Sequence, residues 1–475
     1  MARSSTSTRL TFAVLSAAVA SFSILQSLVS PVLITIQHDL NTTQNTVTWV
    51  LTAWLLAASV ATPLMGRIGD MIGKERTLLI ALTAIAVGCL VSALAPTIGV
   101  LIAGRVIQGL GAAVFPMAFG IVRDEFPAER VPSMIGGLSA VIAVGGGVGI
   151  VLAGPIVQLL NWRWLFGIPV VIVAVVALLA RRYVPESPVR TPGRIDWLAA
   201  VLLSGWLLAL LVPLSEATSW GWASPLTLGL FAAAAVLFGL WILVELRSRN
   251  PLIDMRLMRL PAVWTTNLVG LLFGAGMFPV YAFLPEFMQI PRTAGYGFGA
   301  TITAAGLLML PMLVTMAVGG VLSGPITPRV GAKAQLVSGS VLSALSGASF
   351  TFFHDEPWQF ALAGGVFGFG LGLAYASMTS LIVQNVPAAQ TGVATGMNAN
   401  IRTIGGSIGT AVVSSIITRQ LQADGLPYES GFSNAFTVIT VISAVTVGLA
   451  LLVPAVRARR TPDAPDAPEL LVAAR

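Results

Sequence analysis

The sequence predicts an all-α membrane protein with fourteen transmembrane helices. The chain has 475 residues, 56% hydrophobic and 9% charged, whereas soluble domains are about one quarter charged. Apolar residues recur in segments of about 20, the length that spans a bilayer as a helix. A soluble fold would need several all-apolar helices buried without polar partners, so we exclude it. The predicted segments are 10–36, 45–65, 77–95, 98–121, 132–160, 164–184, 197–215, 224–246, 262–288, 297–323, 335–353, 358–383, 393–418 and 434–456.

The positions of the lysines and arginines predict the orientation of the chain. Most of the 26 Lys and Arg residues lie in the termini or in one set of alternate loops, and only Arg163, Arg292 and Arg419 lie in the other set. This bias follows the positive-inside rule, so we expect both termini in the cytoplasm and the protein in the inner cell membrane. Only the loop 384–392 lacks its expected cation. The apolar run 10–36 is long for a signal-peptide core, and we expect it to be retained as the first helix.

Residue usage excludes several kinds of chemistry. Cys89 is the single cysteine, and His38 and His354 fall in predicted short loops. No disulfide within the chain, metal site or bound cofactor is therefore expected. We find no nucleophile–base pair, metal-ligand spacing or phosphate-binding loop, so the sequence does not predict an enzyme. The net charge of +7 lies in loops between apolar helices, which argues against nucleic acid as a partner.

A shift of 260 residues reveals an internal repeat. Gly104 then aligns with Gly364, Gly136 aligns with Gly396, and the glycines near 145 align with those near 405. The shift covers eight predicted helices, an even number, so the two copies point the same way, as in transporters with parallel repeats. The predicted domains are an N-terminal six-helix bundle at 1–184, two additional helices with linkers at 185–260, a C-terminal six-helix bundle at 261–456 and a disordered cytoplasmic tail at 457–475.

The loop predicted after the second helix, GRIGDMIGKER at 66–76, places one acid among cations on the predicted cytoplasmic side. Its glycines permit a sharp turn, and Asp70 can pair with a cation or cap the positive N-terminus of another helix. Such a contact would act as a conformational latch. The second copy begins at Gly324 and has Pro328 in place of the acid, which restricts the latch to the first half. The alternative is a tight loop whose cations only set topology. The predicted latch residues are Gly66, Arg67, Asp70, Gly73, Lys74 and Arg76.

This segment, with GRVIQGLGAAVFP in the fourth predicted helix and NWRWLF at 161–166, resembles the major facilitator superfamily. The count of fourteen spans is similar to its drug:proton antiporter branch, and the resemblance covers nearly the whole chain. It implies two six-helix bundles that alternate in access around a site near the membrane centre. It also implies export of small amphiphilic compounds driven by a proton gradient. The expected partners are the lipid bilayer, a small-molecule substrate and protons, and we expect a monomer.

Polar residues inside predicted helices mark the expected transport path. Arg105 and Gln108 share one face of the fourth helix, and such a face points into the bundle or a wet cavity rather than to lipid. The resemblance implies that Arg105 influences proton transfer; the alternative is a structural arginine bonded to carbonyls of the first helix. The thirteenth helix carries Asn398, Asn400 and Arg402. Two glycines share the face of Asn398 and Arg402, so substrate contact and close helix contact both remain open.

The fifth predicted helix carries a glycine pattern for close packing. The antiporter branch has GxxxGPxxGG, and this chain has GGGVGIVLAG at 145–154. Gly145, Gly149 and Gly154 match that pattern, which predicts a small-residue face against another helix. Ile150 replaces the proline to which the kink in that branch is attributed.

The first predicted helix lacks the aspartate of the branch, because Leu25 or Gln26 stands at that place. Proton coupling needs a titratable group, and Glu286, which follows Pro285, is the candidate; the alternative is an exposed rim residue. Gln26 would line the path without carrying a proton. A facilitator or importer without proton exchange therefore remains an alternative function. A membrane sensor or scaffold that does not transport is the alternative of another class.

The scarcity of intramembrane acids also bears on the substrate. A cavity lined by aromatic, Met, Gln, Asn and Arg side chains suits neutral, anionic or zwitterionic amphiphiles better than dications. The candidate lining residues are Trp54, Phe115, Met117, Asn267, Phe278, Tyr281 and Tyr375.

Overall fold

The computed structural model describes residues 5–454, apart from 128, 188–189, 191–195, 249–250, 388–389, 421 and 423–425. The predicted tail at 457–475 lies outside the described residues. Within them the chain is mostly helical, and twelve helices are long and apolar enough to cross a membrane. An all-α membrane fold is thus present, as the composition predicts.

The N-terminal helices cover the first six predicted segments. They are α1 (Ser5–Leu28), α2 (Leu33–Asp39), α3 (Gln44–Ile72), α4 (Lys74–Ala93), α5 (Ile98–Gly109), α6 (Val114–Glu125), α7 (Val131–Leu159) and α8 (Trp164–Tyr183). α1 packs against α7 and α8, and α4 packs against α5 and α8. A 3-10 turn at Leu110–Ala113 separates α5 from α6. The fourth predicted span is therefore interrupted near its middle, which its continuous apolar pattern did not indicate.

The remaining helices follow the predicted order. They are α9 (Trp197–Trp220), α10 (Pro225–Arg247), α11 (Met255–Met258), α12 (Pro261–Gln289), α13 (Ile302–Val330), α14 (Ala332–Phe352), α15 (Pro357–Asn385), α16 (Thr391–Ile417) and α17 (Glu429–Leu452). α9 and α10 form a hairpin, and α9 also packs against α3 and α16. The last six of the helices pack mainly on one another, through α12 with α16, α13 with α15, and α14 with α15 and α17.

Two long helix pairs join the N-terminal and C-terminal groups. α7 packs against α13, and α3 packs against α16. Small residues allow these contacts, because a Cβ on Gly136 would lie 2.6 Å from the carbonyl oxygen of Gly320, and one on Gly66 would lie 2.9 Å from that of Gly392.

The predicted loop at 66–76 is wrong in its extent. α3 continues through Ile72 and α4 begins at Lys74, so Gly73 alone forms the junction, with φ at +117°. Only glycine adopts this conformation at low cost. Gly331 joins α13 to α14 in the same way, with φ at +86°. Gly66 and Asp70 are therefore helical residues, and their helix holds them in fixed positions.

Candidate transport path and interface between the helix groups

Asp70 connects the two groups of helices at the end of α3. Its Oδ2 accepts a hydrogen bond from the backbone N–H of Val393 at 3.2 Å, in the first turn of α16. The side chain is fully buried, and Lys74 Nζ lies 3.9 Å from Oδ1. The first N–H groups of a helix have no partner within it and carry partial positive charge, so a carboxylate there is stabilised.

The other predicted latch residues differ in their surroundings. Lys74 is buried and pairs with Asp124 Oδ2 at 2.5 Å, and Ser187 donates a hydrogen bond to the same oxygen. Arg76 is exposed and lies 3.7 Å from Glu186. Arg67 is buried, and its Nε has no hydrogen-bond partner in the described part of the chain. The charge network therefore continues from α3 through α4 and α6 to the segment after α8.

Arg123 forms a second contact between the groups, and our sequence analysis did not single it out. From the last turn of α6 it donates to the carbonyl of Val386 at 2.7 Å and to Thr391 Oγ1 at 2.6 Å. Val386 caps the C-terminal end of α15, where a cation complements the helix dipole. Arg123 thus supplies the cation that the loop 384–392 lacks. The absence of a cation from that loop was the one feature of the sequence that could have indicated this role of Arg123.

Arg105 is fully buried within the N-terminal group. Its Nε donates to the carbonyl of Val50 at 3.0 Å, and Nη1 donates to Gln108 Oε1 at 2.7 Å. Gln108 in turn donates to Ser92 Oγ at 3.0 Å, and the guanidinium lies 5.3 Å from the ring centre of Trp54. The carbonyl belongs to α3, so the predicted bonding to the first helix is wrong. Arg105 links α3, α4 and α5.

A narrow cavity lies between α6, α15 and α16, and the free space there, counted together with its opening to solvent, is about 290 Å³. Arg402 is its charged lining residue. Its Nη2 donates to Tyr375 Oη at 2.7 Å, and its guanidinium stacks over the Tyr375 ring at 4.1 Å. Asn398 donates to Asn267 Oδ1 of α12 at 2.8 Å. The lining residues are Phe115, Pro116, Phe119, Tyr375, Thr379, Ile382, Thr395, Asn398, Ala399 and Arg402.

Of the predicted lining residues, Phe115 and Tyr375 lie in this cavity wall, whereas others pack within the helices. Trp54 stacks on Phe22 at 5.4 Å. Met117 is fully buried and lies beside Gly69 of α3. The apolar surfaces of Trp54 and Met117 fill interhelical space, which explains why these two side chains do not reach the cavity.

The C-terminal candidates also pack on neighbours. Phe278 lies against Gly406, and Tyr281 donates to Met316 Sδ at 3.1 Å. Asn267 reaches the cavity only through its bond to Asn398. Asn400 is buried outside the cavity wall, and neither amide atom has a hydrogen-bond partner among the described residues. The three polar residues predicted in the thirteenth helix therefore form a pair, Asn398 and Arg402, and a separate Asn400.

The predicted glycine face of α7 packs against α1 at two of its three positions. A Cβ on Gly145 would lie 2.7 Å from Ser23 Cβ, and one on Gly149 would lie 2.5 Å from the carbonyl oxygen of Ile24. Gly154 has no atom of another element within 4 Å of such a Cβ among the described residues, so its assignment to close packing is wrong. α1 ends at Leu28, before it reaches the level of Gly154.

Leucine at position 149 will therefore destabilise the protein more than leucine at 154. The Gly149→Leu side chain must push α1 away from α7, and overpacking of this kind costs about 1–3 kcal/mol or more. Thermal unfolding in detergent measures the difference, with Gly154→Leu as the matched control on the same helix. Equal unfolding temperatures for the two variants would refute close packing at Gly149.

The candidate proton groups have no ion-pair partner in the described residues. Glu286 is exposed near the C-terminal end of α12, and Gln26 is half-buried in α1. Leu25 is buried in the core. Glu245, the other acid near a helix interior, accepts from Trp241 Nε1 and from the backbone N–H of Ile253. Glu245 thus anchors the segment that follows α10.

The NWRWLF segment binds Asp39 at the end of α2. Trp162 Nε1 donates to Asp39 Oδ2 at 2.6 Å, and Arg163 Nη1 donates to the same oxygen at 3.0 Å. The indole N–H of Trp162, followed by Arg163, holds the pKa of Asp39 below its usual range. The carboxylate therefore stays ionised at neutral pH and ties the end of α2 to the start of α8.

Comparison with known proteins gives a consistent set of matches. The family model described as Major Facilitator Superfamily matches residues 15–410 and, in a second match, 266–474. The tetracenomycin C resistance and export protein of Streptomyces glaucescens is 31% identical over 81% of this chain and 71% of its own length. The methylenomycin A resistance protein of Streptomyces coelicolor is 30% identical over 81% and 80%. The crystal structure of the human organic anion transporter MFSD10 has a TM-score of 0.68 at 16% identity, over 93% of this chain and 99% of that one.

Proposed function

Because this chain belongs to the Major Facilitator Superfamily, we propose that it exports small amphiphilic compounds, such as drugs, antibiotics or self-made metabolites, by alternating access. The observation that carries the proposal is the cavity between α6, α15 and α16, which both groups of helices line. Relatives named for tetracenomycin C export and methylenomycin A resistance favour export of such compounds. The family makes this a membrane transporter and not an enzyme.

Two further helices support a count of fourteen spans. α14 has 21 residues and α16 has 27, which at 1.5 Å per residue gives about 31 Å and 40 Å. Both are more polar than the twelve apolar helices, and α16 is largely buried between α3 and α12. A span that is shielded from lipid does not need an apolar surface. An even count and the bias of the cations support an orientation with both termini on the cytoplasmic side of the inner membrane.

Matching contacts support two parallel, pseudo-symmetric bundles. Gly145 and Gly149 of α7 pack on α1, while Gly405 and Gly409, which lie 260 residues later, pack on α12. The contact of α7 with α13 has its counterpart in that of α16 with α3. In each bundle the fifth helix therefore packs on the first helix of its own bundle and on the second helix of the other.

The contacts of Asp70 and Arg123 support a latch at the cytoplasmic end. Asp70 binds the first turn of α16, and Arg123 binds the end of α15 and the start of α16. These contacts close the cytoplasmic end of the space between the bundles and must break when the cavity opens to that side. The two residues therefore stabilise one of two alternating conformations.

A proton gradient is the proposed energy source, with Glu286 as the candidate coupling group. Reconstituted vesicles with an imposed pH gradient test this, using a panel of amphiphilic dyes and antibiotics. We expect gradient-driven flux that Glu286→Gln reduces at least tenfold, with Asp355→Asn, an exposed loop acid, as the control. Flux that ignores the gradient would instead favour a facilitator, and absence of flux for every compound would favour a sensor or scaffold.

A further inference from the structure

We propose that Arg402 is the counter-ion for an organic anion, so that the cavity selects amphiphiles with a carboxylate or similar acidic group. This inference rests on the proposed transport function and names its substrate class. Arg402 is the charged member of the ten lining residues, and none of them is an acid.

The guanidinium has no carboxylate partner among the residues that the structure describes. Its contacts are the Tyr375 hydroxyl at 2.7 Å and, more weakly, Asn398 Oδ1 at 3.4 Å. Both acceptors are neutral, and the remaining N–H groups have no described partner. A charge near the centre of a membrane is costly unless an opposite charge accompanies it. Arg402 therefore provides an anion site that the protein itself leaves unfilled.

Its neighbours fix the orientation of this group. Asn398 is held by its bond to Asn267 of α12, and this places its oxygen toward Arg402. The Tyr375 ring stacks on the guanidinium at 4.1 Å. A planar guanidinium held in one orientation suits two parallel hydrogen bonds to a carboxylate better than it suits a single point contact.

The opposite wall of the cavity defines the rest of the ligand. Phe115, Pro116 and Phe119 of α6 are apolar, and Ile382 of α15 adds to them. Thr379 and Thr395 contribute hydroxyl groups. A ligand that satisfies both walls has an aromatic or aliphatic body and one acidic group. Arg105 cannot play this part, because it is fully buried and bonded within its own bundle.

Rhodamine B and its ethyl ester test the inference, since they share one ring system and differ in a free carboxylate. Fluorescence anisotropy with the purified full-length protein measures the affinity of each dye. We expect wild type to bind the carboxylate dye at least tenfold more tightly than the ester. Arg402→Gln should abolish this difference, and Arg402→Lys should retain part of it. Arg292→Gln, at an exposed outer-loop arginine, is the control and should retain the full difference.

The comparison of the two dyes on wild type needs no variant, so misfolding of Arg402→Gln does not prevent the test. Equal binding of both dyes, tighter binding of the ester, or no binding of either dye would overturn the inference. None of these binding results bears on the proposed export, which is tested separately by the flux of the compound panel across the vesicle membrane.

Discussion

Asp70→Asn will slow substrate turnover roughly tenfold or more while leaving the affinity for substrate near that of wild type. The asparagine oxygen can still accept from Val393 N–H, but the negative charge that the α16 N-terminus and Lys74 stabilise is lost. A hydrogen bond to a charged group contributes about 1.5–3 kcal/mol, and about 1.4 kcal/mol changes an equilibrium tenfold. Vesicle flux measures turnover, and dye anisotropy measures affinity.

A thiol probe reports the conformation directly. Cys89 is the single cysteine of the chain, so Cys89→Ser with Thr395→Cys places one thiol in the cavity wall. We expect Asp70→Asn to raise the rate at which a cytoplasmic reagent labels this thiol. Arg123→Gln should do the same, because it removes the other contact to α16. Pro328, which stands in the place of Asp70 in the second half, offers a control: Pro328→Ala should leave labelling unchanged.

Unchanged turnover and unchanged labelling in Asp70→Asn, in Arg123→Gln and in the double variant would show that the two contacts are incidental to the cycle. If only the double variant opens the cytoplasmic end, each contact suffices alone. A double-mutant cycle then gives their coupling, because both residues act on the first turn of α16.

The sequence was sufficient for the class of fold and for the family, but not for the partners of the site residues. Apolar segments of spanning length identify a membrane protein from composition alone, and the family is confirmed. Asp70 was predicted to pair with a cation or to cap another helix, yet the backbone N–H that it accepts from lies 323 residues away. A local sequence pattern cannot indicate a contact between residues so far apart in the chain. The internal repeat shows which helices correspond to each other, but not which helices are in contact.

The glycines also show that the sequence does not predict which residues are in contact. Their spacing indicated small-residue faces, but it does not distinguish Gly149, which meets the backbone of α1, from Gly154, which meets nothing within 4 Å among the described residues. It also suggested a loop over 66–76, whereas only Gly73 has a backbone that requires glycine, with φ at +117°. What separates these glycines is where the neighbouring helix begins and ends, and that is a property of tertiary structure.

The two intramembrane arginines differ in a way that sequence could not reveal. Both lie on helical faces with amide neighbours, Gln108 for Arg105 and Asn398 for Arg402. Arg105 has bonds to its own bundle and is sealed from the cavity, whereas Arg402 lies in the cavity wall. The structure thus favours a structural role for Arg105 that our sequence analysis ranked below proton transfer.

Arg105→Met will therefore lower stability and flux together. The change leaves Gln108 and the Val50 carbonyl without their partner inside a buried network, and each buried acceptor left unsatisfied costs about 1–3 kcal/mol. Arg105→Lys keeps the charge but cannot reach both acceptors in the same geometry, so it should fall between Arg105→Met and wild type. Arg292→Met, at an exposed arginine, is the control for loss of positive charge.

Thermal unfolding in detergent and gradient-driven flux in vesicles must be measured on the same preparations to separate the two roles of Arg105. If the arginine only joins α3, α4 and α5, flux and unfolding temperature will change together across the variants. Arg105→Lys, with the higher unfolding temperature, will then also have a higher flux per folded molecule than Arg105→Met. An Arg105→Met protein with wild-type unfolding temperature and no gradient-driven flux would contradict this, because packing would be intact while transport failed. The arginine would then act on the proton step itself, through Gln108 and Ser92, the groups to which its hydrogen bonds lead.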